Sequence, residues 1–132
     1  MTTTTIYHLL DEADLERCVR GDEYLPERFA ADGFIHCTAD LATLVRVAND
    51  YFAGAPGAVL VLAIDTRRLR SRVVFEDAAP IPGGGTSHLA DGARFPHVYG
   101  PLNLDAVTGW TRLPRRGRGY ARPRRFAPGP PG

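Results

Sequence analysis

Apolar and polar positions alternate at the start of the chain: over residues 4–10, Ile6, His8 and Leu10 fall on one face of a strand and Tyr7 and Leu9 on the other. The period then changes. Asp11 is placed to cap a helix on which Leu15, Cys18 and Val19 recur at helical spacing, and Gly21 closes it. Residues 24–29 read as a linker or a single helical turn. Gly33 permits a turn, residues 34–37 form a short apolar strand, and Thr38 is read as the cap of a second helix with Leu41, Leu44, Val45, Ala48 and Phe52 on one stripe. Gly54 and Pro56 end that helix.

The second half of the chain reads as strands. Residues 58–64 are a continuous apolar run of the length of a buried strand, and residues 72–76 make another. A loop with Pro80, Pro82 and three successive glycines at 83–85 follows and is expected to be mobile. Residues 94–99 carry the next strand, and residues 104–110 the last, opening with a helical turn. Strands outnumber helices and the helices come early, so the expected class is α+β with a mainly antiparallel sheet, in one domain over residues 1–113.

Composition adds a boundary. The 132 residues are 44% hydrophobic, ordinary for a globular domain, and no apolar run approaches the roughly 18 residues a membrane helix needs. Two cysteines without metal-type spacing point to reduced thiols, and the N-terminus has no signal-peptide pattern, so a cytoplasmic setting without membrane association is expected. The net charge of +1 conceals an asymmetry: residues 1–111 hold nine Arg against fifteen acids, whereas residues 112–132 hold seven Arg and no acid. The segment 114–132, rich in Arg, Pro and Gly, is expected to be a disordered tail, with nucleic acid as an available partner through its arginines.

Three of the four histidines, His8, His36 and His97, sit within apolar strands. An unsatisfied imidazole there costs roughly 1–3 kcal/mol, so parity predicts that they share a cavity, as donors to a polar ligand or as acid and base. Taken singly, each reads equally as a hydrogen-bonded core histidine. No zinc spacing is present, and His36 and Cys37 alternate to opposite faces, so no metal is expected and Cys37 reads as a buried hydrophobe. Glu76, at the end of its strand, reads as a catalytic carboxylate or a solvated acid. His88, after the glycines, is expected to be dispensable.

Ile-Tyr-His-Leu near the N-terminus, Gly-Phe-Ile-His-Cys-Thr, Val-Phe-Glu, and Phe-Pro-His-Val-Tyr-Gly-Pro-Leu before Asp-Ala-Val occur in that order between Ile6 and Leu113. In these motifs the chain resembles the small bacterial proteins catalogued as domain of unknown function 952, which are similar in fold to the ADP-ribosyltransferase superfamily. The resemblance implies a split antiparallel sheet with a cleft for NAD. It also implies that His8 holds a ribose, that His36 or Thr38 faces the cleft, and that His97 and Tyr99 stand where a glutamate is usual, so that either Glu76 substitutes for it, or the cleft does different chemistry, or it only binds. The expected roles are therefore catalytic for His36, His97 and Glu76, and cofactor-binding for His8, Thr38 and Tyr99. An NAD- or nucleotide-linked transferase or glycohydrolase is the first expectation. The alternatives are an acid/base enzyme acting on a small metabolite without NAD, and a nucleotide- or RNA-binding module without catalysis.

Overall fold

The computed structural model describes residues 4–77 and 94–132, so the glycine-rich loop and His88 lie outside the described residues. Its centre is β5 (Val59–Asp65), whose residues are buried from Val59 to Ile64. A run apolar at every position belongs between two covered faces. Antiparallel pairing places β1 (Thr5–Asp11) on one side of it and β9 (Val107–Arg112) on the other, and β12 (Ala127–Pro128) extends the sheet beyond β9.

The alternation of β5 sorts the core into two clusters. Val59 and Val61 meet α3 (Leu41–Tyr51) through Leu44 and Ala48, together with Leu113 and Tyr120. Leu60, Leu62 and Ile64 join Ile6 and Leu10 of β1 against Cys18, Tyr24, Ile35, Cys37, Val98 and Leu102. The four-stranded sheet therefore separates a helical layer from a layer of short sheets. One of these is β4 (Ile35–His36), β7 (Arg94–Tyr99) and β6 (Arg72–Asp77), in that order. The other is β2 (Val19–Arg20), β3 (Glu23–Tyr24) and β8 (Leu102–Asn103). A single antiparallel bridge, Tyr7 to Thr38, ties β1 to the β4 side, with reciprocal backbone bonds of 2.8 Å. All pairings among the described residues are antiparallel, and the class is α+β.

Several local expectations are corrected. The first helix, α1 (Glu12–Cys18), stops before Gly21, whose φ of 62° instead serves the β2–β3 turn. Residues 24–29 are not merely a linker, since Tyr24 pairs with Leu102 and Phe29 opens the short helix α2 (Phe29–Asp32). Asp40, not Thr38, caps α3 by accepting from Thr43 N at 2.8 Å. Thr38 is instead occupied by the bridge to Tyr7.

The expected disordered tail is the largest correction. β10 (Arg115–Arg116) and β11 (Gly119–Tyr120) form a hairpin, and β12 pairs with β9. Tyr120 is buried, its hydroxyl donates to Phe52 O at 2.7 Å, and its N–H donates to Asn49 Oδ1 at 2.8 Å. Three large apolar side chains, Leu113, Tyr120 and Phe126, hold the segment against the α3 face. Among the described residues no helix is long and apolar enough to cross a membrane.

Candidate functional site

The site forms on the face of the β4–β7–β6 sheet opposite to Ile35 and Val98, which pack into the core with Ile6 and Leu10 of β1. His36 and His97 are directly paired across β4 and β7, so their side chains project from the same face. Their ring centroids are 5.6 Å apart. Phe34 precedes β4 on the same parity, stacks on His97 at 4.0 Å and lies 4.7 Å from His36.

Each imidazole has its own carboxylate. His97 Nδ1–H donates to Glu76 Oε1 at 2.9 Å, and the Tyr99 hydroxyl donates to the same oxygen. Those two bonds hold Glu76 below the usual carboxylate range, the tyrosine bond being the larger cause. His36 Nε2–H donates to Asp32 Oδ2 at 3.0 Å. Asp32 ends α2, and Gly33, at φ 83°, turns the chain so that residue 32 reaches back to residue 36. Burial pushes Asp32 up, but hydrogen bonds from Arg28 and His36 outweigh it and its pKa is lowered. Burial lowers His36, and Asp32 offsets part of that. The bonds fix the tautomers: His97 keeps its proton on Nδ1, His36 on Nε2. Among the described residues His97 Nε2 and His36 Nδ1 make no hydrogen bond, leaving one nitrogen of each ring available to a ligand.

His8, His36, Thr38 and His97 all line one cavity of about 340 Å³, within the range of small-molecule sites. His8, however, is spent inside the protein. Its Nδ1–H donates to His36 O at 2.7 Å, and its Nε2 accepts from the Tyr24 hydroxyl at 2.9 Å. Burial lowers its pKa to about 4, so the ring is neutral. With both nitrogens engaged, His8 positions the β4 backbone and has no polar atom left for a ribose. Thr38 is different: its hydroxyl is buried and, among the described residues, without a partner, and it lines a cavity that can supply one.

Glu76 and Tyr99 are not among the cavity-lining residues. They stand behind His97, on the Nδ1 side of its ring. Cys37 is in the core, where burial raises its thiol pKa and keeps it protonated, and Cys18 is likewise buried. Among the described residues no group of three or more His, Cys, Asp or Glu is placed to hold a metal ion. Sequence reasoning missed Asp32 and Tyr24. Asp32 had a signal in its spacing of four from His36 across a glycine; Tyr24, sixteen residues from His8, had none.

These features define an α+β protein with two carboxylate-held histidines facing each other in a cleft beside a three-stranded antiparallel sheet. The chain belongs to the family described as protein of unknown function (DUF952), which matches residues 9–110. It is similar to protein CC0527 from Caulobacter crescentus: the crystal structure is 28% identical, with a TM-score of 0.68 over 89% of this chain and 92% of that one. A double mutant of the same protein gives 27% identity and a TM-score of 0.68, and its solution structure 25% and 0.58 over 88% and 90% of the two chains. No curated protein matches the chain.

Proposed function

We propose that the cleft is an acid/base site acting on a nucleotide-type ligand, with NAD as the candidate substrate and glycosidic transfer or hydrolysis as the reaction. The observation that carries this reading is the facing pair His36 and His97, 5.6 Å apart, with Glu76 behind His97 and Asp32 behind His36. His97 Nε2 takes the proton of a water or acceptor hydroxyl as that oxygen attacks the ribose C1′. The C–N bond to nicotinamide breaks and neutral nicotinamide leaves. Glu76 stabilises the imidazolium that forms, and His36 Nδ1 accepts from a ligand hydroxyl.

The lining favours such a ligand. Phe29, Phe34, Tyr51 and Phe52 offer ring faces, and Arg28 offers a cation for a phosphate. The sheet split beside the Tyr7–Thr38 bridge is in keeping with an ADP-ribosyltransferase-like core. On this reading Glu76 replaces the usual glutamate indirectly, through His97, and Thr38 in place of His8 supplies the polar contact to the ligand. The setting we infer is the cytoplasm, in keeping with two unpaired buried thiols.

A thermal-shift series with NAD, ADP-ribose and mononucleotides, joined to an assay for released nicotinamide, tests the proposal. A ligand at 100 times its dissociation constant adds about 2.7 kcal/mol of stability, and the shift should disappear in His97→Ala. The modest cavity volume of about 340 Å³ favours a second reading, acid/base catalysis on a small metabolite without NAD. If NAD neither stabilises the protein nor is consumed, the nucleotide reading falls and this one stands.

A further inference from the structure

The arginines of residues 112–132 are not all spent on the fold. Arg112 pairs with Glu12 at 2.8 Å, and Arg115 donates to the carbonyls of Ala55 and Gly57 and lies over Tyr120. Among the described residues the side chains of Arg116, Arg118, Arg122, Arg124 and Arg125 have no hydrogen bond and no carboxylate partner, and all five residues are exposed. Three of them, Arg122, Arg124 and Arg125, line a shallow concavity with Thr111, Pro114 and Ala121.

The backbone presenting these arginines is clamped on both sides. Tyr120 is anchored to Asn49 and Phe52, and Ala121 N–H donates to Pro114 O at 2.8 Å. Pro123 is buried, and Ala127 and Pro128 pair with Trp110 and Gly109. Fixing three like charges within four residues, with no acid in the segment to offset them, costs free energy that an external polyanion recovers.

We propose that this arginine-lined concavity binds the phosphate backbone of a nucleic acid strand. A polymer fits better than a single phosphate because the five unpaired arginines extend from residue 116 to residue 125. A lipid surface fits less well, since the large apolar side chains of the segment itself, Leu113, Tyr120 and Phe126, pack into the core cluster rather than standing out to enter a bilayer. The site is separate from the histidine cleft and does not depend on its assignment. It also lies beyond residues 9–110, the part of the chain matched by the family.

The test is a salt titration of the full chain with a fluorescent single-stranded RNA of twenty nucleotides. Neutralising five phosphates gives a slope of log K against log salt of about −3.5, at about −0.7 per contact. Arg122→Ala/Arg124→Ala/Arg125→Ala should reduce that slope by about 2 and Arg116→Ala/Arg118→Ala by about 1.4, neither with a lowered melting temperature. The triple variant should also keep any nucleotide-induced thermal shift from the histidine cleft. Absence of binding at low salt, or a triple variant with the affinity and slope of the parent, overturns the proposal. So does a triple variant that loses phosphatidylserine vesicles but still holds the oligonucleotide.

Discussion

His36 and His97 face each other across the β4–β7 ladder with their rings 5.6 Å apart, and each is fixed from behind by a different carboxylate. This leaves His97 Nε2 and His36 Nδ1 available to one ligand at once. The two carboxylates reach the site by different routes. Glu76 lies diagonally across β6 from His97, because Val74 is the direct partner of His97 and Glu76 that of Phe95. Asp32 comes from the helix that precedes β4.

Glu76→Gln tests whether the carboxylate behind His97 serves chemistry. The amide preserves size and an oxygen that still accepts from His97 and Tyr99, while removing the charge that would stabilise an imidazolium. Turnover should fall by about 10²- to 10⁴-fold, and adding His97→Ala should cost little more because the two act as a unit. Glu76 is more than a third exposed, so the melting temperature should stay close to that of the parent. A turnover within twofold of the parent at every pH would remove Glu76 from the mechanism.

Asp32→Asn addresses the other imidazole. The hydrogen bond and charge of Asp32 raise the pKa of His36 against the burial that lowers it, so their loss should lower it further. The titration of the His36 ring proton, followed by NMR, should move to lower pH in the variant. A move upward would mean that Asp32 does not raise the His36 pKa in the parent.

Much of this arrangement is legible in the residues. The unbroken apolar run of β5 and the stripe on α3 mark a buried strand and an amphipathic helix, and strand parity places His36 with Phe34 and His97 with Phe95 and Tyr99. What stays hidden is set by distant contacts. His8 has the same apolar setting as His36, yet Tyr24 and the His36 carbonyl consume both its nitrogens, and neither contact leaves a periodic trace. The tail hides for another reason. Leu113, Tyr120 and Phe126 are spaced by Arg, Pro and Gly without helical or strand period, and the groups that receive Tyr120, Asn49 and Phe52, lie about seventy residues earlier.

Gly33→Ala should destabilise the fold and disturb the site together. A Cβ at residue 33 would meet no atom within 4 Å, so the cost is the backbone strain of φ 83° alone, about 1–2 kcal/mol. The turn relaxes at the expense of the Asp32–His36 bond, so the His36 pKa should fall as in Asp32→Asn. Urea denaturation and the NMR titration measure the two effects. An alanine variant of parental stability would show that the turn is not strained.

Acid should unfold the protein partly through His8. Its folded pKa of about 4 lies below the ordinary 6.5, so the folded state binds fewer protons than the unfolded chain between those values. Stability is full above pH 6.5 and declines as pH falls toward 4, by about 3 kcal/mol for this group. The double variant His8→Phe/Tyr24→Phe removes both the titrating ring and the hydroxyl that pairs with it. Its urea-derived stability should fall less than the parent's between pH 7 and pH 4; equal losses would place the acid sensitivity elsewhere.

Deleting residues 114–132 should weaken the fold. The deletion strips Tyr120 and Phe126 from a cluster that includes Leu44, Ala48, Val59 and Val61, and exposes the side of Tyr7 that Phe126 covers at 6.2 Å. It also removes β12 from the edge of β9 and the hydrogen bonds from Tyr120 to Phe52 O and Asn49 Oδ1. Tyr120→Ala isolates one contribution, a 5% exposed aromatic whose truncation leaves a cavity against α3, and should cost roughly 3 kcal/mol. The full deletion should cost at least as much, because it loses that ring together with the strand pairing and Phe126. Thermal melts of the parent, Tyr120→Ala and the truncated chain make the comparison. A truncated protein with the melting temperature of the parent would return the segment to a solvated tail and, with it, take away the rigid backing of the arginine-lined concavity.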